Sequence, residues 1–389
     1  MKSKTLNHGV LLAAMYGTNV FAQSSVTLYG AVDDAVTYVN NQKGHSNVYL
    51  RSGNLTTSVW GLTGVEDLGG GLATIFQVES SFDMNSGAAT TSGLIFNRQA
   101  YLGLRDQKYG TVTMGRQYTP YFLLVGPLAP AATMAGAVGA QPGDIDSLDK
   151  TTRANSSVTY TSPVFRGLQA SAMYGFGGNP GSIGSGQTIS AALQYSSGPL
   201  GVAAGYLRMD NAQPGVVFGS TSSASLGTTV VNQGYLTASR IEDAAIAANY
   251  TIGALRLGAV YANVRYLPGN QSAFLDTAVF NNYGIFGTYR IRPDLESAAA
   301  VSYTVASKAN TIQDRAKYLL FSLKQAYLLS KRTTLYALEG FTHATGKTLG
   351  ASGIKTIVAA APVVGDSQNL TPSSTPNQVV VMLGIASKF

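Results

Sequence analysis

Three carboxylates fall within six residues, Asp144-x-Asp146-x-x-Asp149, and Arg153 follows shortly after. Acids this close together can ligate a divalent cation or, set opposite arginine, hold a fixed field across a water-filled gap. An EF-hand calcium loop needs glycine and then glutamate at later positions, and this stretch carries neither. His8, His45 and His343 are too scattered for a metal site, and there is no cysteine. The run from Gly340 to Thr348 resembles a phosphate loop but places five residues between its glycines instead of four. It also leads out of a strand into a loop instead of opening a helix. Lysine and arginine do not interleave with aromatics as a nucleic-acid surface requires. The residues therefore offer no catalytic set, no metal and no cofactor, only fixed charge, and the expected protein is not an enzyme.

Those charges need a scaffold, and composition narrows it. Of 389 residues, 45% are hydrophobic and only 12% charged, about half the ~25% charge of ordinary soluble domains. Mean hydropathy is nevertheless only +0.10. After residue 22 no stretch offers ~18 uninterrupted apolar residues, so helical membrane spans are not expected. Lys2 and Lys4, the apolar run Gly9–Val20 and the sequence Val20-Phe21-Ala22 predict a signal peptide over 1–22. Its loss would lower the formal net charge from +7 by two lysines. Export without cysteine leaves a scaffold that needs no disulfides.

From there a period of two dominates. Val26, Leu28, Val32, Val36 and Tyr38 alternate with Thr27, Tyr29, Ala31, Asp33 and Thr37. The pattern returns in Leu168–Tyr174, Ile189–Tyr195, Leu200–Tyr206, Ile246–Ile252 and Val379–Ile385. Such alternation makes strands with one apolar and one polar face. Short turns at Glu66–Gly71, Asp106–Gly110, Pro163–Gly167, Ser196–Pro199, Gly253, Arg292–Asp294 and Ser330–Arg332 alternate with long polar connections near 84–94, 118–152, 177–187, 209–234, 267–279, 308–315 and 346–376. Sixteen strand candidates share the rest of the chain at about 23 residues each. This suits an even-numbered antiparallel transmembrane barrel, trimmed at one end and elaborated at the other. Trp60 and the many tyrosines near strand ends suit interfacial girdles. The polar parity is Ser, Thr, Gln, Ala and Gly, where a soluble sheet would carry more charge.

The chain resembles the trimeric general-diffusion porins of β-proteobacteria. The similarity rests on Ser25–Gly30, on Gly64-Val65-Glu66-Asp67-Leu68-Gly69-Gly70-Gly71-Leu72 above all, and on Asn97–Leu104, Tyr109–Gln117, Arg153–Tyr160, Leu329–Thr333 and the terminal Phe389. It spans residue 24 to the end. The resemblance implies a single all-β domain over 23–389, a sixteen-stranded antiparallel barrel whose third external loop, about 118–152, folds inward. Residues Gln117–Gly143 of that loop carry no charge, and Pro127 and Pro130 argue against a membrane helix there. It further implies a homotrimer in the outer membrane, with lipid, lipopolysaccharide and the barrel-insertion machinery as partners. Phe389 would be the insertion signal, and small hydrophilic solutes the cargo.

Within that frame the pore constriction is expected to set Asp144, Asp146 and Asp149 against Arg98, Arg116 and Arg153. Arg153 shares parity with Asn155, Ser157 and Thr159 and is read as lumenal. Arg98 and Arg116 share parity with apolar neighbours, so either a bulge resets the face or they sit at strand ends. An arginine facing the bilayer centre would cost roughly 2–4 kcal/mol. Val59, Thr63 and Glu79 are read as lumen wall. Val59, Thr63 and Ala73 stand where relatives are often basic, so at most a weak anion preference is expected. Two alternatives remain: a solute-specific channel of the same fold, and a soluble secreted β-protein that binds carbohydrate through its tyrosines.

Overall fold

The computed structural model describes residues 25–366 and 371–389, so the expected signal segment lies outside the described residues. The alternating segments form one antiparallel wall: β1 (Ser25–Gln42), β2 (in two pieces, His45–Ser52 and Val59–Gly69), β3 (Leu72–Ser81), β4 (Gln99–Asp106), β5 (Gly110–Tyr118), β6 (Arg153–Thr161), β7 (Leu168–Gly175) and β8 (Thr188–Ser197). The wall continues through β9 (Leu200–Asp210), β10 (Arg240–Ile252), β11 (Leu255–Leu267), β12 (Ala278–Arg292), β13 (Leu295–Ala306), β14 (Lys317–Leu328), β15 (Thr333–Thr345) and β16 (Asn377–Lys388). Each strand pairs with its sequence neighbours, and β16 returns to β1 over Ala31–Val39. Gly30 and Phe389 exchange both backbone hydrogen bonds, at 3.1 and 3.0 Å, which carries the seam to the last residue. Closure matters because lipid has no water to satisfy an unpaired sheet edge. The barrel has sixteen strands, since both pieces of β2 lie along β1 and the two-residue strand Ala224–Ser225 only extends the pairing of β6.

The break in β2 has a local cause. Gly53 turns the chain out of the ladder at φ +76°, and Asp33 inside the wall receives what the ladder gives up. Its carboxylate accepts the Thr56 amide at 2.6 Å and the Tyr336 hydroxyl, while its own carbonyl accepts Gly53 N at 2.9 Å. Backbone donors that leave a buried sheet must find such partners.

Connections alternate as expected, with seven tight turns at one end. At the other end the β1–β2 hairpin is as tight, turning on Lys43-Gly44, which places His45 at its tip. Outward parity is predominantly apolar: Leu28, Val36, Leu50, Leu102, Met114, Leu193, Ile246, Ile285, Leu323 and Leu383 are all exposed, with Gln325 and Glu339 as polar exceptions. Tyr195, Tyr250, Tyr289 and Tyr327 ring the short-turn end. Tyr261, Tyr283 and Tyr303 stand in register on three adjacent strands farther up, with the first two rings 5.2 Å apart. Two aromatic girdles with an aliphatic band between them match the two interfaces of a bilayer.

The buried core is one-sided. Residues 119–152 form short helices, α1 (Pro120–Val125) and α2 (Pro130–Met134), with helical turns after them. Thr119 caps α1 by accepting the Phe122 amide, and Pro120 and Pro130 start the helices at positions where no amide is needed. Tyr121, Val125, Leu128, Met134 and Val138 are buried against Ala203, Leu207, Ala245, Val260, Ala300, Leu320 and Leu338. These wall residues all lie on the parity opposite the exposed apolar band.

Candidate functional site

Beside the packed loop lies a cavity of about 520 Å³, bordered by β2, β3, β5, β6 and the external connections. Arg51, Arg98, Arg116, Lys150 and Arg153 reach it, as do Asp83, Asp149 and Asp366. Local backbone geometry delivers the arginines. Arg116 sits opposite a bulge in β6: Gly115 pairs with Ser157 but Gln117 pairs with Ala154, so Asn155 and Ser156 face Arg116 alone, and Gly115 adopts φ +140°. A side chain on Gly115 would also strike the Ala100 carbonyl. The Arg116 guanidinium binds Asn97 O at 2.8 and 2.9 Å and the Asn155 amide oxygen, the latter on the bulged segment of β6. Arg98 lies just before β4, so strand parity does not govern it, and it pairs with Glu79 at 2.5 Å. Arg98 thus lies at a strand end, and Arg116 lies opposite a bulge in the neighbouring strand.

Arg153 starts β6 and donates to the Tyr118 hydroxyl at 3.1 Å and to Thr151 O. The Tyr118 ring lies under two cations, with Arg153 at 4.9 Å and Arg98 at 5.6 Å from its centroid, distances at which a ring face attracts a cation. Arg98 is neutralised by a carboxylate, whereas Arg116 and Arg153 bind neutral oxygens.

The three loop aspartates separate. Asp149 borders the cavity. Asp144 turns back on the loop, accepting the Asp149 amide at 2.8 Å and the Thr151 hydroxyl. Asp146 is buried beneath, where its carbonyl accepts the Tyr121 hydroxyl at 3.0 Å. Burial raises all three carboxyls, Asp149 to about 6 and Asp146 to about 7, and burial together with Asp149 and Asp146 raises Asp144 well above the usual carboxylate range.

Glu79 anchors a polar ladder on the wall: Tyr29 donates to it at 2.9 Å, and the Tyr101 hydroxyl donates to Gln77 at 2.7 Å. Val59, Thr63 and Glu79 share one parity of β2 and β3, opposite Trp60 and Leu62. Val59 itself lies between Ala31 and Ser81. Three cavity residues escaped the sequence reading. Arg51 was legible, since it alternates with the outward Val48 and Leu50. Lys150 and Asp366 come from irregular loops and leave no periodic signal.

The chain matches the family described as Gram-negative porin over residues 10–347. An outer membrane porin of Bordetella pertussis is 30% identical over 383 residues, covering 87% of this chain and 94% of that one. Outer membrane porin protein 32 of Delftia acidovorans is 34% identical over 212 residues, 50% of this chain and 57% of its own length. Among solved structures, an anion-selective porin from Comamonas acidovorans superposes with a TM-score of 0.68 at 23% identity, covering 94% and 100% of the two chains. An outer membrane protein of Vibrio cholerae, in its trimer form, gives 0.62 at 17% identity, covering 94% and 99%. A closed wall, apolar outside and lined with fixed charge within, suits only a bilayer, and this chain belongs to the Gram-negative porin family as an outer-membrane diffusion channel.

Proposed function

We propose that residues 118–152 are the channel's constriction loop, folded into the barrel, and that the remaining passage conducts small hydrophilic solutes and ions with a weak preference for anions. The supporting observation is the cavity, in which Arg116 and Arg153 bind only neutral partners while Asp149 is the carboxylate the loop contributes. Fixed charges at a narrow point bias ion passage without any bond being made. The loop's contacts support the inward placement. Tyr121 N donates to Ser190 Oγ at 3.0 Å, Arg256 donates to Thr133 Oγ1 at 3.0 Å, and the Lys324 ammonium donates to Thr133 O. Arg98 and Glu79 cancel one another, and Val59 and Thr63 add no charge, which keeps the preference weak. The same reading includes a cleaved signal peptide over 1–22, a homotrimer, outer-membrane lipid and lipopolysaccharide around it, and Phe389 as the residue read by the insertion machinery. The anion selectivity named for the Comamonas protein and the trimer form named for the Vibrio protein accord with it. Reversal potentials in planar bilayers under a salt gradient test the proposal: a small shift toward the anion potential is expected, and strong cation selectivity would refute it.

A further inference from the structure

The connection between β15 and β16 does more than close a hairpin. Its residues 360–366 descend onto the loop 118–152 and are fastened at several points. Gly143 N donates to Gly365 O at 2.9 Å, and Asp366 N donates to Gly136 O at 3.0 Å. The Thr342 hydroxyl donates to Val363 O at 3.3 Å, and Val364 N donates to Gln378 Oε1 at 3.0 Å. Val363 and Val364 are buried. Gly340 on the inner face of β15 makes the seat, because a Cβ there would lie 2.4 Å from Val364 Cγ1 and 3.4 Å from Val138. At the end of this strap Asp366 meets Arg51 at 3.1 Å, and both border the cavity. Arg51 is almost wholly enclosed, with its side chain 2% exposed.

The cavity's acidic side is therefore not the triplet that the sequence suggests. Asp144 and Asp146 turn away, and Asp83 uses its carboxylate to accept the amides of its own turn at Asn85 and Ser86. Asp83, Asp149 and Asp366 border the cavity from three different loops, and of these Asp366 is the one ion-paired to an enclosed cavity arginine. We infer that Asp366 determines ion selectivity in this channel and that residues 360–366 form a second narrowing element beside the loop 118–152. The inference rests on the constriction proposed above and names a carboxylate from the opposite end of the chain as part of it.

Removing either partner of the Arg51–Asp366 pair has two separable consequences. The strap loses the same fastening in both cases, so the passage widens in both. The cavity charge, however, moves in opposite directions, because Asp366→Asn removes a negative charge beside the cavity and Arg51→Gln removes a positive one. A purely structural pair would change conductance without that split in sign. The experiment is single-channel conductance and reversal potential of the full-length porin in planar bilayers. It compares wild type, Asp366→Asn, Arg51→Gln, the charge-keeping Asp366→Glu and the exposed loop control Asp314→Asn. Retention of heat-modifiable mobility on gels confirms folding. The expected result is raised conductance in both neutralised variants, with the anion-to-cation permeability ratio rising roughly two-fold in Asp366→Asn and falling roughly two-fold in Arg51→Gln. Asp366→Glu and Asp314→Asn should stay at the wild-type ratio. A wild-type chain with strong cation selectivity removes the underlying reading and this inference with it. A wild type that behaves as proposed, with ratios in the two neutralised variants unchanged or moving the same way, overturns the inference alone.

Discussion

The inner faces of β2–β8 and of β9–β15 differ in what they hold, although their outer faces are alike. The first set presents Thr63, Gln77, Glu79, Ser81, Thr113, Ser157, Thr159 and Ser171 to the interior, together with the cavity arginines. The second presents Leu207, Ala247, Val260, Ala300, Leu320 and Leu338, buried in one cluster with the apolar residues of α1, α2 and the helical turns that follow, while Phe280 packs against Tyr235 and Tyr266. One half of the barrel is thus mainly polar inside and the other mainly apolar, with apolar wall on one side and apolar loop on the other. The loop, without charge from Gln117 to Gly143, is held by burial against the apolar part of the wall, and under the proposed reading the polar part carries the ions.

Charge placed on the covered side should break this division most severely. Val138→Asp would put a carboxylate between Gly340 and Val364 with no partner, at a cost of about 3 kcal/mol or more. The folded, fast-migrating gel form should disappear at a clearly lower temperature, and the pore should widen. Asn155→Asp, on the exposed side next to Arg116, should leave that temperature nearly unchanged and move only the reversal potential. Equal thermal losses in the two variants would mean that the halves do not differ in kind.

Arginines within the cavity sharpen the contrast at a smaller scale. Arg98→Gln strands the buried Glu79, and breaking such a pair costs roughly 3 kcal/mol, so both stability and selectivity should suffer. Arg116→Gln removes a cation that no carboxylate balances, so stability should shift by less than about 1 kcal/mol while anion preference falls. Chemical denaturation and bilayer recordings on the same two preparations distinguish these outcomes.

The smallest effect is that of pH. Asp149 is raised to about 6 by burial, so it is ionised at neutral pH and gains a proton as pH falls below 6. Anion preference should therefore increase modestly between pH 7.5 and 5. A carboxyl raised in the folded state stabilises the fold at low pH, and that contribution is lost as pH rises through its folded value. Asp146, raised to about 7 but away from the cavity, should add to that stability trend without altering selectivity. A preference that falls on acidification would contradict the placement of Asp149.

Much of the wall was legible before any coordinates. Alternation at Leu200–Tyr206 or Val379–Ile385 reports a strand whose two faces meet different surroundings, and glycine-marked turns such as Gly69-Gly70-Gly71 report where it reverses. The site was legible only where it lay on such a strand. Glu79 and Thr63 follow parity; Arg116 keeps the parity of Met114 on its own strand yet borders the cavity, near the strand end and opposite the extra residue of a bulge in β6 that hydropathy cannot register. Arg51 could have been found by the same alternation and was overlooked. The different fates of Asp144, Asp146 and Asp149 had no sequence signal, because three acids in an irregular segment look equivalent until the loop's hydrogen bonds orient them.

Sequence by itself determined the barrel, its strand number and its apolar exterior, because each follows from a period of two and from turn chemistry repeated along the chain. Only the tertiary structure decided which half of the interior is covered, that Arg98 is cancelled by Glu79, and that Asp366 stands beside Arg51. Those outcomes depend on contacts between segments as far apart as residues 51 and 366, which come together only when the sheet closes and the loops compete for the space inside it.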